Sequence, residues 1–329
     1  MSSATGRPGG ALRPAGTPQA QIDSLAGSGE ACAVARSVDW AITAIGPAAG
    51  WSQALRSTAS LVLHNHSGML LWWGPEFVQI YNDASAEYQQ DSGQRIFNMA
   101  HLPFWSQAEL EKEARRCIDM GLKGFVLPDT PERVGVPSFM QEYWTPFLEM
   151  CNDSGTPLNF HLNAAIDPNT LTWEGFAFEQ TLSVVATMFS IGNAATLGNW
   201  MVSGRLDRHP NLKIGLIESG MGWVPFAVEA LEHQFQEMLA GKRKELSREP
   251  WQYFRDHFWC TFWFEKIGPK QLLETIGVDN VMFETDFPHP TSLYPGVQAH
   301  LKDVLGGYSH EVRKKVLQDN AVKLYNLPL

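Results

Sequence analysis

The sequence predicts an α/β fold built on a parallel sheet, and three observations carry that reading. From Ala84 onward, short apolar runs alternate with stretches of helical periodicity, the pattern of strands joined by covering helices. Three of the apolar runs end in a histidine or an acidic residue, as strands do where their carboxyl ends face a site. The stretch before Ala84 lacks this alternation and forms a segment of its own.

The first twenty residues are rich in Ala, Gly, Pro and Ser and read as a disordered tail. They lack the apolar centre of a signal peptide, so export is not expected. In residues 21–83, Ser52 to Leu63 suits a helix, and Met69 to Trp73 and Phe77 to Tyr81 suit two strands turned at Gly74-Pro75. After that, Arg95 to Pro103 reads as a strand and its loop. Ser106-Gln107-Ala108-Glu109 has capping-box spacing, and Leu110, Ala114, Cys117 and Gly121 repeat at helical intervals. Further strands follow at Gly124–Pro128, Thr156–His161, Leu212–Glu218, Phe258–Trp263 and from Val281. Pro288, His289 and Pro290 forbid the last of these from continuing, which leaves Asp286 at a strand's carboxyl end. Six strands with helices between most of them make a parallel sheet, open or closed into a distorted TIM-like (β/α) barrel.

Composition narrows the function classes. The 329 residues are 44% hydrophobic, enough to bury a sizeable core. A formal charge of -10 with no basic stripe argues against nucleic acid or an anionic membrane as partner. No unbroken apolar run approaches the ~20 residues that span a bilayer. Cys32, Cys117, Cys151 and Cys260 are scattered without a CxxC, as expected of reduced cysteines in a cytoplasmic protein.

His161, Glu218 and Asp286 are the candidate site. Imidazole and carboxylate donors suit a divalent metal, zinc first and manganese or iron as alternatives. His64-Asn65-His66 has the spacing of a second ligand pair after Leu61-Val62-Leu63. Against that, Leu55, Ala59, Val62 and His66 fit one helix face, where neighbouring histidines diverge, and the preferred reading is a pair at a helix end. Trp105, Trp223, Trp263 and His289 are candidates to line a pocket for a planar carboxylate, and His101, Asp129 and Asn163 also follow strands.

Two resemblances extend this reading. Asp39–Pro47, Gly50–Arg56 and Leu71–Asp83 follow one another in an order that resembles the first half of the PAS-type domains of bacterial sensor histidine kinases. From about Tyr81 to the end, the chain resembles the amidohydrolase-related family, which includes aminocarboxymuconate-semialdehyde decarboxylase and resorcylate-type decarboxylases. Leu102-Pro103, Gly121–Pro128, Asn159-Phe160-His161, His209–Ile214, Glu218–Pro225, Thr285–His289 and Asp319–Tyr325 carry the likeness.

That likeness implies a distorted eight-stranded barrel in which His161 matches a metal-ligand histidine and Asp286 the strand-eight aspartate that binds metal or handles a proton. Glu218 stands where decarboxylases of the family usually have a histidine. Asp286 and Glu218 are then the candidate catalytic residues, with metal held by His161, Asp286 and Glu218. The expected function is hydrolysis or nonoxidative decarboxylation of a small, often aromatic, carboxylate. The family's first two strands are not evident, so residues 84–329 form an incomplete barrel whose open edges call for repair by a partner chain, as in a homo-oligomer, or by the preceding segment. The alternative is a noncatalytic fusion of a PAS-like fragment with a crippled barrel.

Overall fold

The computed structural model describes residues 35, 40, 46–47, 50–64, 70–73, 78–81, 92–93, 95–104, 106–162, 171–239, 241, 246–287, 289 and 291–328. The chain divides into two compact units, residues 1–96 and 97–329.

In the first unit, helix α1 (Gln53–His64) packs against a hairpin of β1 (Leu70–Trp73) and β2 (Val78–Tyr81). The strands are antiparallel, with Trp73 opposite Val78, as the sequence predicts. The Gly74-Pro75 turn lies outside the described residues. Trp51 and Trp40 meet edge to face, with ring centroids 4.8 Å apart, and both are buried, as are Leu55 and Ala59 of α1. His64 is the last residue of α1, in keeping with the helix-face spacing of this stretch, and so does not stand at the strand end that a His-x-His metal motif would need. His66 lies outside the described residues.

The second unit holds one six-stranded sheet in chain order: β3 (Ala100–His101), β4 (Phe125–Val126), β5 (Leu158–His161), β6 (Ile214–Ile217), β7 (Phe258–Phe262) and β8 (Val281–Phe283). Every neighbouring pair is parallel. That topology is the α/β, TIM-like arrangement the sequence predicts, open among the described residues between β3 and β8. Between the strands run α2 (Gln107–Asp119), α3 (Thr145–Ser154), α4 (Phe178–Val202), α5 (Val224–Glu237) and α6 (Pro250–His257), with α7 (Val297–Leu305) and the closing α8 (Asn320–Tyr325) after β8. The Ser106 hydroxyl caps α2 by accepting from Glu109 N, and Leu110, Ala114 and Cys117 turn inward at the predicted spacing.

Alternation along the strands separates two apolar clusters. Leu158, Phe160, Ile214, Leu216, Phe258, Cys260, Phe262 and Val281 join the helices in the main core. Trp259 and Met282 point the other way and pack with Leu324 of α8, together with Ile217 and Tyr325. The Tyr325 hydroxyl donates to Asn159 Oδ1 at 2.9 Å, and Asn159 Nδ2 donates to the Phe125 carbonyl at 3.1 Å. The closing helix therefore covers the inner face of the sheet, where a partly buried tyrosine and a buried asparagine are hydrogen-bonded to one another.

Among the described residues one helix, α4, is long and apolar enough to cross a bilayer by length and composition. Reading unbroken apolar runs missed it, because Gln180, Asn193 and Asn199 interrupt the stretch. Its second half is a core element. Leu197, Trp200 and Met201 are buried in the main cluster, and Asn193 Nδ2 donates to the Phe160 carbonyl at 3.2 Å.

Candidate active site at the carboxyl end of the sheet

Parallel register brings the strand ends level. His161 closes β5 opposite Ile217, so Glu218 begins the loop beside it, and Phe262 of β7 lies opposite Phe283, so Glu284 leaves β8 at the same edge. Leu162, Glu218 and Asp286 take left-handed backbone angles, with φ of 50°, 53° and 56°. Residues other than glycine hold that conformation at a cost of order 1 kcal/mol or more, and only where the surroundings over-determine it. Three of the four such residues among those described cluster at this one edge.

A continuous chain of contacts crosses the edge. His161 Nε2 lies 2.5 Å from Glu218 Oε2, an imidazole–carboxylate pair whose carboxylate is largely buried. Glu218 N donates to Thr261 Oγ1 at 3.0 Å, and that hydroxyl donates to Glu284 Oε1 at 2.7 Å. Asp286 belongs to a neighbouring group. Its Oδ2 accepts from Thr291 Oγ1 at 3.2 Å and lies 3.1 Å from His289 Nδ1, which is itself 2.7 Å from the Thr291 hydroxyl.

Electrostatics tie the two groups together at Glu284. Burial pushes its carboxyl up to about 7, and the negative charges of Glu218 and Asp286 push the same way against the Thr261 hydrogen bond and His161. The hydrogen bond that His161 donates to the Glu218 carboxylate raises the pKa of His161, opposed by burial and assisted by the charges of Glu218 and Glu284. His101, at the end of β3, is lowered by burial and then by its neighbour His161. Asp129, beyond β4, is raised by burial.

Of the residues singled out in the sequence, His161 and Glu218 are in direct contact, and Asp286 and His289 are in contact with each other. Among the described residues no three His, Cys, Asp or Glu side chains are gathered closely enough to hold an ion, so the predicted trio does not meet at one point. Imidazole and carboxylate donors do suit a divalent cation, and one would relieve the repulsion that Glu218 and Asp286 exert on Glu284. The donor chemistry fits, while the Nε2 and Oε2 atoms of the His161–Glu218 pair are engaged with each other.

Trp223 spans its own loop, its indole N–H donating to the Ser219 carbonyl at 2.7 Å. Trp263 is buried and meets Phe264 edge to face at 4.5 Å. Trp105 and Asn163 lie outside the described residues. A groove of about 640 Å³ opens between α2 and α3, lined by residues including Arg115, Asp119, Glu149 and Asp153, and none of the strand-end residues borders it.

Sequence reasoning missed Glu284 and Thr261. The available signal was period-two spacing: Glu284 and Met282 share a strand face, as do Thr261 and Trp259.

Comparison with known proteins decides the family. The Amidohydro_2 amidohydrolase family matches residues 70–327. The chain belongs to that family. The match begins within the β1–β2 hairpin, so it takes in the end of the stretch whose order resembles a PAS domain. Gamma-resorcylate decarboxylase of Rhodococcus jostii strain RHA1 is 25% identical over 224 residues, covering 63% of this chain and 64% of the relative. The chain thus spans less than two thirds of that relative's length. A 2,6-dihydroxybenzoate decarboxylase from Rhizobium superposes with a TM-score of 0.61 at 22% identity, over 74% of this amidohydrolase and 75% of that chain. A dihydroxybenzoic acid decarboxylase from Polaromonas, solved with bound manganese and the inhibitor 2-nitroresorcinol, gives 0.60 at 22%, over 75% and 74%. These structures share the fold.

Proposed function

We propose that this amidohydrolase-family chain is a metal-dependent enzyme that removes the carboxyl group of a small hydroxylated aromatic acid without oxidation. The observation that carries the reading is the contact chain His161–Glu218–Thr261–Glu284 at the carboxyl end of the sheet, with Asp286 in its field. The decarboxylase relatives point to the reaction, and the strand-end position is where barrels of this kind place their chemistry.

Nonoxidative decarboxylation breaks the ring-carbon to carboxyl bond, leaves its electron pair on the ring carbon and releases CO2, so the ring carbon must take up a proton. Glu284 holds its carboxyl proton at higher pH than an ordinary glutamate and is the group suited to store it. Asp286 or Glu218 delivers the proton at the ring carbon. His161, held in place by Glu218, stands at the same edge as an imidazole donor.

A divalent metal, manganese or zinc, would be held by His161 and Asp286 with Glu218. Bound there it would polarise a substrate oxygen as a Lewis acid. The buried free thiols Cys117, Cys151 and Cys260 suit a reducing cytoplasm. The edges at β3 and β8, which have no further partner strand among the described residues, favour a homo-oligomer. The PAS-like order of residues 21–83 stands as a resemblance, with residues 84–329 as the enzymatic part.

The test is CO2 release from 2,6-dihydroxybenzoate and related acids by the purified full chain, stripped of metal and then given Mn2+ or Zn2+. Metal-dependent release that is lost in His161→Ala supports the reading. Hydrolysis of an amide or lactone without CO2 would make the chain a hydrolase, and no turnover with any of these would leave the noncatalytic fusion.

A further inference from the structure

Glu218 owes its contact with His161 to a left-handed backbone at the start of a short loop, and the residues holding that loop come from β7. Thr261, inside β7, takes the amide of Glu218. Glu265, three residues beyond the end of β7, grips the far side of the same loop. Its Oε1 accepts from Met221 N at 3.1 Å and Gly222 N at 2.9 Å, and its Oε2 lies 3.1 Å from Met221 N. The Trp223 indole bridges the loop to Ser219 between these two anchors.

Three glycines make room for this carboxylate. A Cβ on Gly220, whose φ is +71°, would stand 2.9 Å from Glu265 Oε2. One on Gly222 would stand 3.2 Å from Oε1, and one on Gly268 would stand 2.9 Å from Met221 Cγ and 3.3 Å from Oε1. Such close approach of a carboxylate to backbone is open only where side chains are missing. Burial raises the Glu265 pKa, and the two amides oppose it. A half-buried carboxylate that spends its hydrogen bonds on the neighbouring loop serves that loop's shape.

We infer that Glu265 is a positioning residue: from the β7 loop it clamps the Ser219–Gly222 backbone, fixes the left-handed angle of Glu218 and so holds the Glu218 carboxylate against His161. Ser219 and Gly220 transmit the grip, and Thr261 fixes the other end of the loop. The inference deepens the proposed function by naming what orients its imidazole–carboxylate pair.

The experiment reads that pair directly. In full-length chain carrying 15N-histidine, the hydrogen-bonded His161 Nε2 proton gives a downfield resonance, assigned by its loss in Glu218→Ala, which removes the acceptor. Glu265→Ala is expected to lose it with the rest of the amide spectrum unchanged, while Glu265→Gln, which retains an acceptor oxygen, keeps it. In turnover, Glu265→Ala is expected to lower kcat about tenfold with KM moved less than twofold, since misplacement of about 1 Å can cost up to a hundredfold. Persistence of the His161 resonance in Glu265→Ala overturns the inference even where the enzyme turns over. Its loss supports the inference even where no substrate is found, so failure of the proposed function is read separately. Should Glu265→Ala fail to fold, Gly220→Ala, which displaces the carboxylate from the same amides, is judged by the same resonance in its place.

Discussion

The two faces of the six-stranded sheet are made by the same strands and do different work. The outer face of β5 to β8 carries Leu158, Phe160, Ile214, Leu216, Phe258, Cys260, Phe262 and Val281, an almost unbroken apolar surface under the helices. The inner face mixes Trp259 and Met282 with Asn159, Gly215 and Thr261, and His161 and Glu284 lie at its carboxyl edge. On the outer face a side chain contributes through the area it buries, and neighbours of similar shape can replace one another. On the inner face each polar group has a named partner, and replacing it leaves the partner unsatisfied. The comparison teaches that stability and chemistry sit one residue apart along each strand.

The sharpest way to break this division is to cut the outer face. Phe160→Ala, which removes a ring fully buried beside Phe139 and Trp200, is expected to cost about 3–5 kcal/mol in urea denaturation. A loss under about 1 kcal/mol would mean that the outer face does not carry the stability. At the inner edge, Glu284→Gln is expected to lower kcat about a hundredfold, in the range of lost proton transfer, while the melting temperature holds or rises because a repelling carboxylate is gone. Turnover unchanged in that variant would remove Glu284 from the chemistry.

Between the two, Gly215→Ala probes how tightly the inner face is filled. A Cβ there would meet Asn159 Oδ1 at 2.5 Å, the atom that accepts from Tyr325, so a loss of about 1–3 kcal/mol is expected in thermal melts. A neutral outcome would show the Asn159–Tyr325 contact to be adjustable.

The smallest effect is a control on the outer layer. His257 Nδ1 donates to the Leu212 carbonyl at 2.7 Å, and its Nε2 takes a hydrogen bond from Arg248 Nη1 at 3.2 Å, so the ring is neutral. Burial lowers its pKa from the usual 6.5, with Arg248 acting in the same direction. The unfolded chain therefore binds the proton more tightly than the folded one. This contribution is complete above the unfolded value and is lost as pH falls below it. The urea midpoint should drop between about pH 7 and pH 5, and less so in His257→Gln, since histidine titrates in that window.

Much of this fold is legible in the sequence because strand and helix periodicities differ. Each of the six strands falls within its predicted stretch, and the Ser106 cap and the inward face of α2 follow from spacing alone. The strands are shorter than their apolar runs. β3 keeps only Ala100 and His101, an edge strand with one neighbour among the described residues. At the candidate site, His161 and Glu218 could be picked out because they end apolar runs, whereas Glu284 was hidden beside Asp286 in one acidic stretch. Thr261 was hidden because a threonine in a strand ordinarily signals only β propensity.

The sequence by itself determined the alternation of elements, the apolar outer face and the residues at the strand ends, because those are fixed by local spacing and by proline and glycine. Only the tertiary structure decided that Tyr325 reaches Asn159 across 166 residues, that Glu265 clamps the loop of Glu218, and that burial, aided by the charges of Glu218 and Asp286, raises the Glu284 carboxyl to about 7. The reason is physical. Hydrogen bonds, desolvation and charge coupling depend on distance in space, and residues far apart along the chain carry no local pattern that records it.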